Sequence, residues 1–166
     1  MADDLWHGCF DSFTRSAFRF EVQGIYREPK ESGPLRQFLA GKRPDLSYLD
    51  AWLAEVAAGV TVGRSYRRVR GLTDPLTDYL RFELSFTQLN VDAGEDVRLL
   101  PAVQAGRLPA EDFWLFDDEK VLAMRFGDRG LTGVDLVTDA VRVARYREIR
   151  DIAWQNAVPF RECAAT

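Results

Sequence analysis

Residues 111–137 read EDFWLFDDEKVLAMRFGDRGLTGVDLV, and this stretch decides the fold class. The four consecutive apolar residues 113–116 are typical of a strand inside a sheet. Two turn-forming segments follow, the acidic pair 117–118 and the glycine-bounded 127–130, and each leads into further apolar residues at strand-like spacing. The stretch therefore predicts an antiparallel meander toward the C-terminal end of the chain.

The residues on either side of the meander alternate between helical and extended patterns. Apolar residues at helical spacing predict helices over roughly residues 5–17, 35–39, 46–60, 75–91 and 139–153. Alternating patterns predict strands over roughly 18–26, 64–72 and 97–100. For the fourth helix, Asp74 is expected as the N-cap, with Pro75 at the first helical position. This order predicts one α+β (mixed α/β) domain over residues 1–166, in which a mixed sheet with a C-terminal meander packs against several helices.

The composition argues against several kinds of chemistry. The chain has 22 lysines and arginines against 26 aspartates and glutamates, a net charge of −4, which disfavours direct nucleic-acid binding by the whole molecule. One histidine, His7, and two cysteines, Cys9 and Cys163, are too few for a zinc cluster within one chain. We therefore expect no metal, no cofactor and no catalysis by a nucleophile–histidine pair.

The start of the chain and its hydropathy suggest a compartment. Residues 1–4 have no positively charged segment leading into an apolar one, as a secretory signal would, and no run of about 18 apolar residues follows anywhere in the sequence. Two cysteines in such a chain are expected to be reduced thiols. We expect a cytoplasmic protein without membrane contact.

A row of arginines marks the strand predicted over residues 64–72. Because strand side chains alternate between faces, Arg64, Arg68 and Arg70 share a face with Tyr66, whereas Arg67 lies on the other. Such a row could bind phosphate or carboxylate through bidentate hydrogen bonds, with Tyr66 stacking on a base. The competing interpretation is a strand whose charges are solvated at a sheet edge or neutralised by acidic residues of the same chain.

Acidic residues crowd the ends of the predicted strand 113–116. The arginine row would pair with these acids if the two strands lie close together, and the arginines would then serve the fold; the acids are Glu111, Asp112, Asp117, Asp118 and Glu119. Asp117 and Asp118 could instead contribute to a divalent cation site, but such a site needs more oxygen ligands than this loop supplies. If the hairpin is free of the arginines, it is a candidate contact surface for a partner.

Glu83 interrupts an otherwise apolar stretch of the fourth predicted helix. A carboxylate there must be paired or lie at the edge of a cavity, because burying it alone is costly. The structural interpretation is an ion pair, as Asp78 and Arg81 can form at a spacing of three residues. The functional interpretation is a carboxylate of raised pKa in a ligand pocket. The residues of that pocket would be Tyr79, Arg81, Glu83, Trp114 and Asp117.

Five segments together resemble a known protein family. They are Leu5-Trp6-His7-Gly8-Cys9-Phe10 with Ser16-Ala17-Phe18, Pro75-Leu76-Thr77-Asp78-Tyr79-Leu80-Arg81-Phe82-Glu83-Leu84, Ala93-Gly94-Glu95-Asp96-Val97-Arg98, Asp112-Phe113-Trp114-Leu115-Phe116-Asp117-Asp118, and Arg150-Asp151-Ile152-Ala153-Trp154 with Ala157-Val158-Pro159-Phe160. As a set they resemble the actinobacterial family catalogued as domain of unknown function 6879 (DUF6879), over nearly the whole chain. The resemblance implies no activity for any residue, but it implies a setting, because such proteins are often encoded beside helix-turn-helix regulators.

The order of elements is also similar to phospholipase-D-like folds. Catalysis in those enzymes requires a His-x-Lys pair, and here His7 is followed by Gly8 and Cys9. The similarity therefore carries over no catalytic residue.

These observations lead to one expected function and two alternatives. We expect a non-catalytic regulatory or interaction protein acting with a helix-turn-helix transcriptional regulator, with the Arg64–Arg70 strand and the Asp117–Glu119 hairpin as contact surfaces. The first alternative is a small-molecule sensor or hydrolase with the carboxylate-lined pocket around Glu83. The second is direct nucleic-acid binding by the arginine strand with Tyr66.

Overall fold

The computed structural model describes residues 2–164, which form one α+β domain built around a single sheet. In chain order its elements are α1 (Ala2–Ser12), β1 (Ser16–Glu21), α2 (Pro29–Leu39), a single 3₁₀ turn (Ser47–Leu49), α3 (Asp50–Thr61), β2 (Ser65–Gly71), α4 (Asp78–Ala93), β3 (Asp96–Leu100), α5 (Ala102–Ala105), β4 (Asp112–Phe116), β5 (Lys120–Gly127), β6 (Gly130–Val137), α6 (Ala140–Asn156), β7 (Val158–Pro159) and α7 (Phe160–Ala164).

The sheet has seven strands within the described residues, in the order β6-β5-β4-β1-β2-β3-β7. Strands β1, β2 and β3 are parallel neighbours, so helix α4 connects two adjacent parallel strands as a crossover. Strands β4, β5 and β6 form the antiparallel meander, and β4 pairs with β1. The prediction of a mixed sheet with a C-terminal meander is confirmed.

The two faces of the sheet differ in chemistry. One face, which we call the apolar face, carries Phe18 and Phe20 of β1, Val69 of β2 and Leu115 of β4, and helix α6 covers it. The opposite face is covered by α1, α3 and α4 and has two halves. Toward β5 it is aromatic, with three tryptophans, Trp6, Trp52 and Trp114, packed together. Over β1 and β2 it is lined by ionised side chains, and we call this half the charged face.

Helix α4 shows where the sequence prediction was wrong. The helix begins at Asp78 rather than at Pro75, because the Thr77 side chain accepts a hydrogen bond from the backbone N–H of Leu80 at 3.1 Å and is the N-cap. Its end agrees with the prediction, since Gly94 adopts a left-handed conformation with φ of 113° and stops the helix.

Four other boundaries also differ from the prediction. Helix α1 stops at Ser12 instead of 17, and β1 stops at Glu21 instead of 26, where the backbone N–H of Gln23 turns to the Tyr26 hydroxyl. Helix α2 begins at Pro29, earlier than predicted. Pro159, expected only to end α6, instead lies in the two-residue strand β7 paired with β3. The short helices α5 and α7 have too few turns for a periodic signal.

No helix in residues 2–164 is both long and apolar enough to cross a membrane.

Candidate functional site

Four ionisable side chains project from adjacent parallel strands onto the charged face. Arg19 and Glu21 alternate along β1, and Arg68 and Arg70 stand beside them on β2 in the same register. They are enclosed by the helices above, so that Arg19, Glu21 and Arg70 are 4%, 8% and 6% exposed. Charges at this depth are tolerated only when they are paired.

Glu21 lies at the centre of the resulting network. Its Oε2 accepts a hydrogen bond from Arg70 Nε at 2.8 Å, and its Oε1 accepts one from Arg68. Although burial alone would raise the pKa of Glu21, the guanidinium groups of Arg70, Arg68 and Arg19 hold it well below its usual range. Glu21 is therefore a permanently charged carboxylate that neutralises three neighbours in part.

The network is closed at one side by Glu95, the residue after the Gly94 cap. Glu95 Oε1 accepts from Arg68 Nε at 2.6 Å, and Oε2 accepts from Asn90 Nδ2 at 2.9 Å and from Trp52 Nε1 at 3.3 Å. This carboxylate is 2% exposed, and both of its oxygens have partners.

Asp112, at the start of β4, closes a second side. Its Oδ1 accepts from Arg19 Nη2 at 3.3 Å, from the backbone N–H of Val22 at 3.2 Å and from the Tyr26 hydroxyl, and its Oδ2 accepts from Gln23 Nε2 at 2.9 Å. Burial, together with the neighbouring carboxylates, raises the pKa of Tyr26 well above its usual value, so this hydroxyl stays a donor. The end of the network at Asp112 is fully satisfied.

The end of the network at Glu83 is not satisfied. Glu83 Oε2 forms an ion pair with Arg70 Nη2 at 2.9 Å, but Oε1 is enclosed and has no hydrogen-bond partner among the described residues. The residue is 6% exposed. Burial raises the pKa of Glu83, and Arg70 offsets this only in part.

A second carboxyl group and two tyrosines lie beside Glu83. The Tyr79 hydroxyl donates to Glu31 Oε2 of helix α2 at 2.7 Å. Burial first, and Glu83 second, raise the pKa of Glu31 to about 7. The Tyr48 hydroxyl, on the 3₁₀ turn, is also enclosed without a partner in residues 2–164, and its pKa is raised by burial and by both glutamates. We call Glu31, Tyr48, Tyr79 and Glu83 the acidic site.

Helix α2 covers the acidic site with little packing of its own. None of its side chains is fully buried. Its contacts with α4 include the hydrogen bond between Glu31 and Tyr79 and an aromatic pair, Phe38 with Phe82, whose ring centroids are 5.7 Å apart. The acidic site therefore lies under an element that is held by few contacts.

The structure uses the predicted arginine row for the fold. The predicted alternation is confirmed, since Tyr66, Arg68 and Arg70 share the charged side of the sheet and Arg67 lies over the Trp154 ring on the other, at 5.2 Å. Tyr66 is 2% exposed and packs against aromatic rings. Arg64 lies outside the strand, 3.9 Å from a Glu55 carboxylate oxygen. The interpretation in which the chain's own acids neutralise the arginines fits this geometry.

Those acids are not the ones of the predicted hairpin. Asp117 accepts hydrogen bonds from the backbone N–H groups of Thr14, Arg15 and Ser16 at 2.8, 2.7 and 2.9 Å, which lowers its pKa and closes the loop between α1 and β1. Asp118 pairs with Arg150 at 2.6 Å.

The five residues predicted to share a pocket do not converge. Tyr79 and Glu83 do lie together in the acidic site. Arg81 is exposed and pairs with Asp78, as its spacing predicts. Trp114 packs among the aromatic residues, 5.4 Å from Trp52 between ring centroids. Asp117 is held beside the first residue of β1, whereas Glu83 reaches the network at the last residues of β1 and β2.

Five residues of the network and the acidic site were missed by the sequence analysis: Arg19, Glu21, Glu31, Tyr48 and Glu95. Asp112 was named among the acids expected to pair with arginines, but its partner is Arg19 of β1 and not the arginine row of β2. Arg19 and Glu21 alternate with phenylalanines, a pattern that also describes a strand with one solvated face. The available signal was that charged residues also alternate along the arginine row of β2, where Arg70 could neutralise an acid such as Glu21 on a neighbouring strand.

Comparison with known proteins shows the family. The model of the family described as Domain of unknown function (DUF6879) matches residues 4–165, nearly the whole chain, and the protein belongs to this family. No protein of the curated collection matches the sequence.

Proposed function

We propose that this protein is a non-catalytic regulatory protein. In this proposal it binds a small molecule at the acidic site and signals the bound state to a protein partner. The observation that carries the proposal is the unpartnered Oε1 of Glu83. A buried polar atom without a hydrogen bond is rare in native proteins, because it loses water without compensation. Such an atom indicates a place where a further group binds.

The location of the acidic site supports a sensing role. Glu83 belongs to α4, the crossover helix, while Glu31 belongs to the loosely packed α2. A ligand that contacts both would tie α2 to α4 and reduce the motion of α2. A partner that contacts the outer surface of α2 would then meet a mobile helix without the ligand and a fixed helix with it.

The partner that we propose is a helix-turn-helix regulator in the cytoplasm, as the family setting implies. The buried thiol of Cys9, which forms no disulfide, is consistent with a reducing compartment. The Asp117–Glu119 hairpin, remote from the arginine row, stays a candidate contact surface. Direct nucleic-acid binding by Arg68 and Arg70 is disfavoured, because both guanidinium groups would have to leave buried carboxylates.

A hydrolase is the second candidate, and one observation favours it. The pKa of Glu31, raised to about 7, lies in the range of a general acid–base group, and a second carboxyl group is adjacent. Turnover of a substrate by wild-type protein that is lost in a folded Glu83→Gln variant would establish this candidate instead.

The proposed function is tested by thermal unfolding of the purified protein with a panel of small cationic, neutral and anionic metabolites. A ligand of the acidic site stabilises the wild type by about 2.7 kcal/mol at a concentration 100-fold above its Kd. The Glu83→Gln variant should lose this effect. Asp78→Asn, an exposed change on the same helix, is the matched control and should keep it.

The signalling part is tested by co-expression with the helix-turn-helix protein encoded nearby. A co-purifying complex whose affinity changes with the ligand supports the proposal. A panel in which no compound distinguishes wild type from Glu83→Gln, together with no co-purifying partner, would refute it.

A further inference from the structure

We propose that the ligand of the acidic site is a compact organic ammonium, a primary amine carried on an apolar group, whose N–H groups are held by Glu83, Glu31 and the Tyr48 hydroxyl. This inference rests on the proposed function and names the chemical class of its ligand. Three features of the structure lead to it: the charge balance, the hydrogen-bonding groups left over, and the aromatic surroundings.

The buried network has too few cations for its carboxylates. Five carboxyl groups, Glu21, Glu31, Glu83, Glu95 and Asp112, lie with three guanidinium groups, Arg19, Arg68 and Arg70. When all are ionised, the network carries an excess of two negative charges. The acidic site also contains two ionisable tyrosines, Tyr48 and Tyr79. Lys30, an exposed residue of α2, lowers the pKa of Glu31 by its positive charge.

That excess is located at the acidic site. Glu21, Glu95 and Asp112 each contact an arginine with both charges buried, and Glu83 uses only one of its two oxygens for Arg70. Glu31 contacts a neutral tyrosine, and no ion pair with an arginine is formed by it within residues 2–164. The two glutamates can meet this deficit by retaining a proton, which agrees with the raised pKa values of both. A cation bound between them would replace the proton.

The oxygen atoms without hydrogen-bond partners fit a ligand that has several N–H donors. Glu83 Oε1 is an acceptor, the carboxyl group of Glu31 is close enough to interact with Glu83 electrostatically, and the Tyr48 hydroxyl can accept as well as donate. An ammonium group has three donors and no acceptor, so each of its N–H groups can meet one of these oxygens. An alcohol supplies one donor and leaves the charge uncompensated.

Other ligand classes fit less well. An anion would add to the negative excess. A divalent metal ion such as Ca²⁺ requires about six to eight oxygen ligands, and residues 2–164 contain no cluster of three or more acidic, histidine or cysteine side chains arranged to hold one. A planar guanidinium would compete with Arg70 for the same carboxylate of Glu83.

The surroundings of the acidic site suit the apolar part of such an amine. The ring of Phe82 lies 5.7 Å from Phe38 of α2 and 5.0 Å from Phe86, measured between centroids, and Tyr79 packs on Tyr26 at 5.7 Å. Aromatic faces attract ammonium groups through their quadrupoles and bury the attached hydrocarbon. Because α2 covers the site with few contacts, its displacement is the route by which we expect the ligand to enter.

The test is isothermal titration calorimetry of the full chain with butylamine and phenethylamine, each compared with the corresponding alcohol. At about pH 6, below the pKa of Glu31, wild type should bind an amine and release about one proton, counted from the heats in two buffers of different ionisation enthalpy. The alcohols should bind at least about tenfold more weakly, the cost of a lost charged hydrogen bond.

Three variants locate the binding. Glu83→Gln and Tyr48→Phe should each weaken the binding of the amine by about tenfold or more. Asp78→Asn should bind as wild type does. Thermal unfolding of each variant confirms folding, and if Glu83→Gln unfolds, Tyr48→Phe decides, because the Tyr48 hydroxyl has no partner to lose. Hydrogen exchange in α2 should slow when the amine is bound.

Four results would overturn the inference. Equal binding of amines and alcohols would show that charge is not recognised, and binding unaffected by both variants would place the amine elsewhere. If no amine binds but a neutral or anionic compound stabilises wild type and not Glu83→Gln, this inference fails while the proposed function stands. If no compound of any class binds, both fail.

Discussion

The apolar face and the charged face of the sheet are made by alternate residues of the same strands, and they stabilise the protein in different ways. On β1, Phe18 and Phe20 face α6, while Arg19 and Glu21 face α4. The apolar side gains free energy from every methylene removed from water. The charged side must first meet the cost of desolvating its ions, and the attraction between them returns about that amount. The charged face therefore contributes geometry more than net stability.

The charged face also differs from the apolar face in how it tolerates incompleteness. When an apolar contact is missing, the protein loses only the free energy of that contact. When a buried ion has no partner, the protein also carries the unrecovered cost of removing that ion from water. At Asp112 all partners are present, and at Glu83 one is missing. A ligand is therefore expected at the end of the charged network where Glu83 lies, and not at the end where Asp112 lies.

The largest expected effect comes from breaking the network at its centre. Glu21→Gln removes the carboxylate shared by Arg68 and Arg70 and leaves buried guanidinium groups unbalanced. We expect a loss of about 3–5 kcal/mol in the free energy of unfolding. Urea titration followed by circular dichroism measures it. A loss below about 1 kcal/mol, the range of surface ion pairs, would show that water reaches the network.

A somewhat smaller effect is expected on the apolar face. Leu115, on β4, is 1% exposed beneath α6, and Leu115→Ala should cost about 2–5 kcal/mol through lost burial and a cavity. The same urea titration applies. The loss from Leu115→Ala should not depend on ionic strength, because the substitution removes no charge. A salt-dependent loss for this variant would contradict the division of the sheet into two faces.

The smallest effect is a pH dependence that originates at Glu31. Its pKa in the folded protein, about 7, lies above the ordinary value of 4.5, so the folded state holds the proton more tightly. The free energy of unfolding should therefore fall as the pH rises from about 4.5 to about 7 and level off above that. Because the carboxyl is partly exposed, we expect a fall of about 1–2 kcal/mol.

The measurement is the difference in unfolding free energy between wild type and Glu31→Gln across this range. Glutamine can still accept the hydrogen bond from Tyr79, so the variant keeps the contact and loses the titration. Glu21 titrates with the opposite sign, since its lowered pKa makes stability fall as the pH drops below 4.5, and it cancels in the difference. A difference that is independent of pH would place the titrating group elsewhere.

Much of the fold was predictable because it depends on local patterns. The turns at 117–118 and 127–130 join strands of nearly continuous apolar character, and the meander follows from them. The Gly94 cap could likewise be identified from its position after an apolar helix. The start of α4 could not, because Asp74 followed by Pro75 is as good a local start signal as Thr77, and only the contacts of the preceding loop decide between them.

The candidate site was predictable only in part. Glu83 was singled out because a charge inside an apolar stretch needs a partner, and Arg70 provides one. Glu31 gave no such signal, because α2 has the composition of an exposed helix. The partners of the arginine row come from β1, from α4 and from the residue after the Gly94 cap, and sequence separation alone does not show which acids reach a strand.

The placement of the tryptophans gives each side of the sheet its own spectroscopic reporter. Trp6, Trp52 and Trp114 lie within 6.3 Å of a neighbouring indole, close enough for their electronic transitions to couple and give a strong near-ultraviolet dichroic signal. Trp154, alone on the opposite side, has Arg98 at 3.8 Å over its ring, which should shift its emission. Loss of packing on one side of the sheet can thus be followed in solution without any label, because the tryptophan signal of the other side does not change.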